Sequence, residues 1–522
     1  MLAARVLRNC LRFNLADGRA KLPFLMIIVS ILTNPLGGTV GTLCAADGTA
    51  YFDAVIARAE QMAHKPYQPP EPVPQYLDRL TFDQWQNIVF REDRSPWPAD
   101  NNFVLQFYHI GYLYKQPVKI YTIDSQGIHE FPFSSKLFSY GDLKPPEEMP
   151  EDLGFAGFSL YYPLVQTEAR NEFLVFIGTT YFRAVGKGQW FGLSARGIAI
   201  DTASPQGEQF PYFKAFWLAR PAAKADSIRI YALLDGQSVT GAYQFEIYPG
   251  DQTVMDVESV LFLRKKVEKL GIAPFSSMFL QGSNSTRRYN TLSPQMHDSD
   301  GLSIQTRDNR WIWCPLQNPQ QLAVQDFQLE NPQGFGLMQR DRRFCSYESL
   351  AQHYQDRPSA WLTPAGSWKK GSLQLFEIPT DTENNDNIVV FWMPDESYEL
   401  LQPIRFGYRI SWQGDDTMRP SIGYVVNTRT GPGIMKKNSR TFEIDFAGGS
   451  LGRLSSDAVS AVVSVEKGAK LLEHHIVKNE FVKGMRLELQ IEPPEKPVRL
   501  EAFLQAGDEA ITETWSYVFH PD

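Results

Sequence analysis

Proline is spread along the whole chain, 35 of them, rather than gathered in one tail. Each removes a backbone donor and blocks an interior helical position, so no long uninterrupted helix can form. Between the prolines lie short runs rich in β-branched and aromatic residues. Val104-Leu-Gln-Phe-Tyr108, Val118-Lys-Ile-Tyr121, Phe173-Leu-Val-Phe-Ile177, Ile228-Arg-Ile-Tyr231, Tyr243-Gln-Phe-Glu-Ile247 and Trp311-Ile-Trp313 are of this kind. Strand-like runs without alternating helical patterns predict antiparallel sheets stacked as a sandwich. One amphipathic helix is expected over Phe52 to Met62, stopped by His64-Lys-Pro66, with an extended Pro-rich strip to Pro74 behind it. Tyr347 to Tyr354 reads as a helical turn.

The chain's 522 residues are too many for one ordinary domain. Residues 395–403 are polar and turn-prone, and strands resume at Phe406-Gly-Tyr-Arg-Ile410. The expected division is a large all-β sandwich over 47–394, a linker over 395–403, and a second sandwich over 404–522. About seven strand-like runs in that last stretch suit an immunoglobulin-like sandwich.

The first 46 residues differ from the rest. Arg5, Arg8, Arg12, Arg19 and Lys21 face a single acid, Asp17, and an apolar run from Leu22 to Leu32 follows. Small residues then lead to Cys44-Ala45-Ala46. This order describes a secretory signal peptide cleaved just before Asp47. Removing it would take the formal net charge from −8 to −12. An acidic chain without a Lys/Arg block argues against nucleic acid as the partner. Export would also leave two of the four cysteines, Cys314 and Cys345, in an oxidising compartment, where a disulfide between them is an expectation. No C-x-x-C or H-E-x-x-H is present, Gly192-Leu-Ser194-Ala-Arg196 misses G-x-S-x-G because Arg occupies its last position, and Gly186-Lys-Gly188-Gln-Trp-Phe-Gly192 has neither the spacing nor the strand-then-helix frame of a phosphate loop, so no structural zinc, serine nucleophile, nucleotide or other cofactor is expected.

Two acidic clusters remain. His297-Asp298-Ser299-Asp300-Gly301 precedes a strand, and Thr380-Asp381-Thr-Glu383-Asn-Asn-Asp386-Asn387 precedes the apolar run Ile388-Val-Val-Phe-Trp392. Carboxylates on two separate strand-end loops can face each other across a cleft, the arrangement glycoside hydrolysis needs. Asp-rich loops also occur as plain turns or weak calcium sites. The aromatic residues, 13 % of the chain, fit either a large core or sugar stacking, and Trp361 and Trp392 lie near turn-rich segments.

Longer motifs carry a resemblance. They include Asp152-Leu-Gly-Phe-Ala-Gly-Phe158, Tyr181-Phe-Arg183, Gly192-Leu-Ser-Ala-Arg-Gly197, Leu270-Gly-Ile-Ala-Pro274, His297-Asp-Ser-Asp-Gly-Leu302, Asn331-Pro-Gln-Gly-Phe-Gly-Leu337, Arg357-Pro-Ser-Ala-Trp361 and Asp386-Asn-Ile388. In this order they resemble the periplasmic glucans biosynthesis proteins G and D, and the G type more closely. The resemblance implies a galactose-mutarotase-like β-sandwich joined to an immunoglobulin-like domain, and work on linear β-1,2-glucan in the periplasm. It implies inverting hydrolysis with Asp386 as acid and Asp298 as base, and Glu383, Tyr354 and Arg357 around the same cleft. His297 and Asp300 would fix the Asp298 loop. Crowding by Asp381 and Glu383 would favour a protonated Asp386. The alternative is a non-catalytic glucan-binding factor beside a membrane glucosyltransferase.

Overall fold

The computed structural model describes residues 48–521 apart from 98–99, 145–148, 151, 167–168, 415–417, 434–438 and 493. The signal peptide expected over 1–46 lies outside the described residues. A helix spans Gly48–Ala63, and most of the other regular elements among the described residues are strands joined by turns and short helical pieces. Among the described residues no helix is long and apolar enough to cross a membrane.

The first sandwich has two layers. One is a ten-stranded sheet running from Val104–Tyr108 at one edge to Ala323–Glu330 at the other. The facing layer belongs to a fifteen-stranded sheet, toward one end of which Tyr212–Ala219, Ile228–Asp235, Val239–Tyr248 and Thr253–Leu263 are hydrogen bonded in sequence order. Phenylalanines fill the space between them. Phe158 meets Phe216 edge-on at 5.0 Å, Phe176 meets Phe216 at 5.2 Å, and Phe182 meets Phe245 at 5.5 Å. The aromatic surplus is thus largely core packing.

The central strands are apolar on both faces because both are covered. Along Ile228–Asp235, Ile228, Ile230, Ala232 and Leu234 face the aromatic core. Tyr231 and Leu233 face the opposite way, under Phe52, Val55 and Ala59 of the helix. Spacings of three and four residues put those three on one helical stripe.

The second sandwich has seven main strands. Four form a separate sheet in the order Tyr424–Pro432, Arg440–Ala447, Gly484–Glu492, Lys470–Asn479. The other three, Ser460–Val465, Val498–Ala506 and Thr514–Phe519, extend the fifteen-stranded sheet. Thr514–Phe519 runs parallel to Trp311–Pro315 of the first sandwich.

Two details differ from the sequence reading. Ile404–Gln413 pairs with Thr253–Leu263 and Ser359–Ala365, so it completes the first sandwich. The 395–403 segment is therefore a surface turn ahead of that strand, and the chain leaves the first sandwich only after Gln413. The two cores also meet directly. Trp311, Trp313, Met338 and Trp361 are contributed by the first sandwich to the core of the second. The polar composition of 395–403 marks exposure, and pairing of the next strand is decided by Thr253–Leu263 and Ser359–Ala365, both far from it in sequence.

The cysteines are unbridged. Cys314 is buried in its strand, with its Sγ 3.5 Å from Gln325 Oε1, while Cys345 is exposed on a short helix, Phe344–Tyr347. One thiol points into the core and the other lies on the surface, so the expected disulfide does not form. The single turn expected over Tyr347 to Tyr354 is two turns, Phe344–Tyr347 and the 3₁₀ turn Tyr354–Asp356, with a loop between.

Candidate active site

The Asp298 loop is built by a short strand pair. Met296–His297 pairs with Phe279–Gln281, then the chain turns at Asp298-Ser299-Asp300 into Gly301–Gln305. The turn is pinned at every residue. The Asp298 N–H donates to Met278 O (2.8 Å), Ser299 and Ser277 share a hydroxyl bond (2.9 Å), and Asp300 Oδ2 accepts the N–H groups of Arg340 and Asp341 (both 2.9 Å). Gly301 ends the turn because a Cβ there would lie 2.1 Å from the Trp313 ring. His297 is fully buried, stacked on Phe279 at 5.3 Å, with Nδ1 donating to Gln339 Oε1 (2.8 Å). Burial pushes its pKa down to about 4, so the ring is neutral. Its neighbour on the turn, Asp300, has its carboxyl pushed up to about 6 by burial.

The second loop leaves the strand Lys370–Glu377 and returns at Ile388–Pro394. Asn387 brings the two loops together. Its Oδ1 accepts from Phe279 N (2.8 Å), and its Nδ2 donates to Phe279 O (3.1 Å) and Ile378 O (3.0 Å). Phe279 is the backbone partner of His297. Asn387 therefore ties the residue after Asp386 to the strand that leads into Asp298.

Tyr354 and Arg357 bridge the loops. They flank the 3₁₀ turn that starts after His353, which is left-handed at φ 49°. Arg357 Nη1 donates to Asp298 Oδ1, and its guanidinium lies 4.3 Å from the centre of the Tyr354 ring. The Tyr354 hydroxyl donates to Glu383 Oε2. Burial pushes the Arg357 guanidinium down to about 10 and, with Glu383 alongside, raises the Tyr354 phenol. Asp298, Arg357, Tyr354 and Glu383 thus form one continuous chain of contacts, ending three residues before Asp386.

Asp386 has a partner that sequence reasoning missed. Arg183 Nη2 lies 3.5 Å from Asp386 Oδ2, and Arg183 Nε donates to Ser194 Oγ at 2.6 Å. Each acid of this loop has its own partner. Asp381 pairs with Arg287, Glu383 with Tyr354, and Asp386 with Arg183. Among the described residues no group of three or more acids, histidines or cysteines could hold a metal. Arg183 lies in a strand far upstream, and only its place in Tyr181-Phe-Arg183 marked it. Gln339 was also missed. It is buried, and its Nε2 donates to both His297 O (3.0 Å) and Tyr354 O (2.9 Å).

The two tryptophans stand apart from this constellation. Trp361 is buried where the two sandwiches meet, 5.4 Å from Trp311. Trp392 is fully buried in the first core beside Trp368. Neither ring is open to a sugar, because each sits on an inward-facing strand position.

The two acidic loops thus sit at neighbouring strand ends of an all-β double sandwich, tied together by Asn387. The family profile described as "Periplasmic glucan biosynthesis protein, MdoG" matches residues 51–519. The chain belongs to that family. It is 41 % identical over 499 residues to the glucans biosynthesis protein G of Ralstonia nicotianae, covering 92 % of this chain and 99 % of that protein. The protein of the same name from Pseudomonas paraeruginosa is 40 % identical over 524 residues, covering 95 % of this chain and all of that protein. That from Sodalis glossinidius is 41 % identical over 500 residues, 92 % of this chain and 96 % of its own length.

Proposed function

We propose that this chain acts in glucan biosynthesis in the periplasm, binding linear β-1,2-glucan between its two acidic loops and trimming it by inverting hydrolysis. The observation that supports this most is the contact chain from Asp298 through Arg357 and Tyr354 to Glu383, beside Asp386. In this reading Asp386 gives a proton to the leaving glycosidic oxygen, directly or through hydroxyls. Water attacks the anomeric carbon from the opposite face, and Asp298 takes its proton. The bond to the leaving oxygen breaks as the new C–O bond forms. Inversion needs space for that water, with the carboxyl groups at least about 6.5 Å apart. Tyr354 and Arg357 orient the water or a sugar hydroxyl.

A second reading, a glucan-binding factor beside a membrane glucosyltransferase, is favoured by one feature. Asp298 is already engaged by Arg357, and each acid of the other loop is engaged as well. A site at rest in this way can bind without cleaving. Purified protein incubated with linear β-1,2-glucan separates the readings. New reducing ends support hydrolysis, whereas binding without new ends supports the factor.

A further inference from the structure

The three residues Gln339-Arg340-Asp341 follow the strand Gly334–Met338. They touch both sides of the seam between the sandwiches. Toward the site, Gln339 holds His297 and Tyr354 through three side-chain hydrogen bonds. The backbone N–H groups of Arg340 and Asp341 converge on Asp300 Oδ2. These partners bracket Asp298 and hold the residue whose hydroxyl reaches Glu383. Toward the second sandwich, the buried Arg340 guanidinium makes a two-pronged ion pair with Glu513 (2.6 and 3.1 Å) and donates to Val425 O (2.9 Å). It also stacks over Trp313 at 3.6 Å. Glu513 in turn accepts from Val425 N at 2.7 Å.

We propose that the C-terminal sandwich positions Asp298 and Tyr354 through the Glu513–Arg340 pair and the Gln339-Arg340-Asp341 segment. The pair is a positioning device, since neither residue bonds to Asp298 or Asp386 and Arg340 reaches the first loop only through its backbone N–H on Asp300. Three neighbouring residues cannot shift independently, so a displaced Arg340 carries Gln339 and the two amides that hold Asp300 with it. A buried ion pair is weak evidence for stability alone, because desolvation offsets much of its attraction, and fixing one arrangement is its better-attested use. The effect on rate rests on the hydrolytic reading; the effect on geometry does not.

The test uses the full chain with Glu513→Gln, which keeps an acceptor but removes the charge, and Arg340→Met. Ile491→Val, in the far part of the second core, serves as the comparison for general destabilisation. Two readouts are taken. In hydrogen–deuterium exchange, the amides of 296–302 and 353–358 should exchange about tenfold faster in both seam variants. They should stay at wild-type rates in Ile491→Val. In hydrolysis of β-1,2-glucan, kcat should fall by about 10- to 100-fold with KM within about twofold, as expected of misplaced groups. Arg340→Lys should recover part of the loss. Unchanged exchange in both segments overturns the proposal, and so does a kcat no lower than that of Ile491→Val at equal Tm. If the wild-type chain cleaves nothing, the hydrolytic reading fails and exchange alone decides this one.

Discussion

The two acidic loops look alike as sequence and differ sharply as structure. At Asp298 the side chain is 7 % exposed and locked to Arg357, and each residue of its turn is fixed by a hydrogen bond. At Asp386 the side chain is 28 % exposed and faces Arg183 at 3.5 Å, beyond a tight contact. The first loop is a preorganised carboxylate whose charge is compensated at rest. The second carries a carboxylate free to adjust to what enters. A base that receives a proton from a fixed water gains from rigidity, and an acid that must reach a leaving oxygen gains from freedom.

The largest expected effects separate the loops most clearly. Asp298→Asn and Asp386→Asn should each lower glucan cleavage by about 10²–10⁴-fold. Only the first should also destabilise the fold. It removes the direct ion-pair partner of the buried Arg357, and breaking such a pair typically costs about 3–5 kcal/mol. The second should stay within about 0.5 kcal/mol of wild type, as a surface change does. Thermal or urea unfolding of both variants checks this, and equal stability would erase the contrast.

The loops also rest on groups with opposite pH behaviour. Beneath Asp298, His297 has its pKa pushed down from 6.5 to about 4 by burial. Its contribution is present above pH 6.5 and lost as pH falls toward 4, because the unfolded chain then binds the proton. At the root of the second loop, burial pushes Glu377 up from 4.5 to about 7. Its contribution is present below pH 4.5 and lost as pH rises toward 7, because the unfolded chain then gives up the proton. Each difference corresponds to about 3 kcal/mol across its window. Relative to wild type, His297→Gln should gain stability on acidification, and Glu377→Gln should gain it as pH rises. Unfolding curves at pH 4.5, 6 and 8 would show these slopes, and parallel slopes would contradict the assignments.

Smaller effects probe the bridge between the loops. Tyr354→Phe removes the hydroxyl bond to Glu383 but keeps the ring under Arg357. Cleavage should fall about tenfold, with stability lower by about 1 kcal/mol, the usual net worth of one hydrogen bond. An unchanged rate would remove Tyr354 from the machinery. The smallest effect concerns thiols. In the native protein Cys345 should react promptly with a thiol reagent and Cys314 only after unfolding, whereas protection of both would restore the bridge that the geometry excludes.

Much of this molecule is legible in its sequence. Proline spacing and β-branched runs identify the strands, and Phe52, Val55 and Ala59 identify the one long helix. The acidic loops are legible as well, because Asp and Gly at strand ends state what a turn needs. The destination of Ile404–Gln413 is not, since its run would suit either sandwich and only the partners Thr253–Leu263 and Ser359–Ala365 decide. Trp361 and Trp392 mislead for a related reason. Proximity to a loop in sequence says nothing of which face of a strand a ring occupies. Arg183 is a single polar residue within an apolar strand and Gln339 opens a charged run at a strand end, and their importance exists only once the chain has folded around them.

The central claim is that Asp298 and Asp386 act as base and acid in one inverting displacement. The most direct test follows linear β-1,2-glucan by NMR from the moment wild-type protein is added, reading the anomer of each new reducing end before mutarotation. The account predicts α-anomeric ends first, and none above background with either Asn variant. First appearance of the β-anomer, or wild-type rates in both Asn variants, would contradict it.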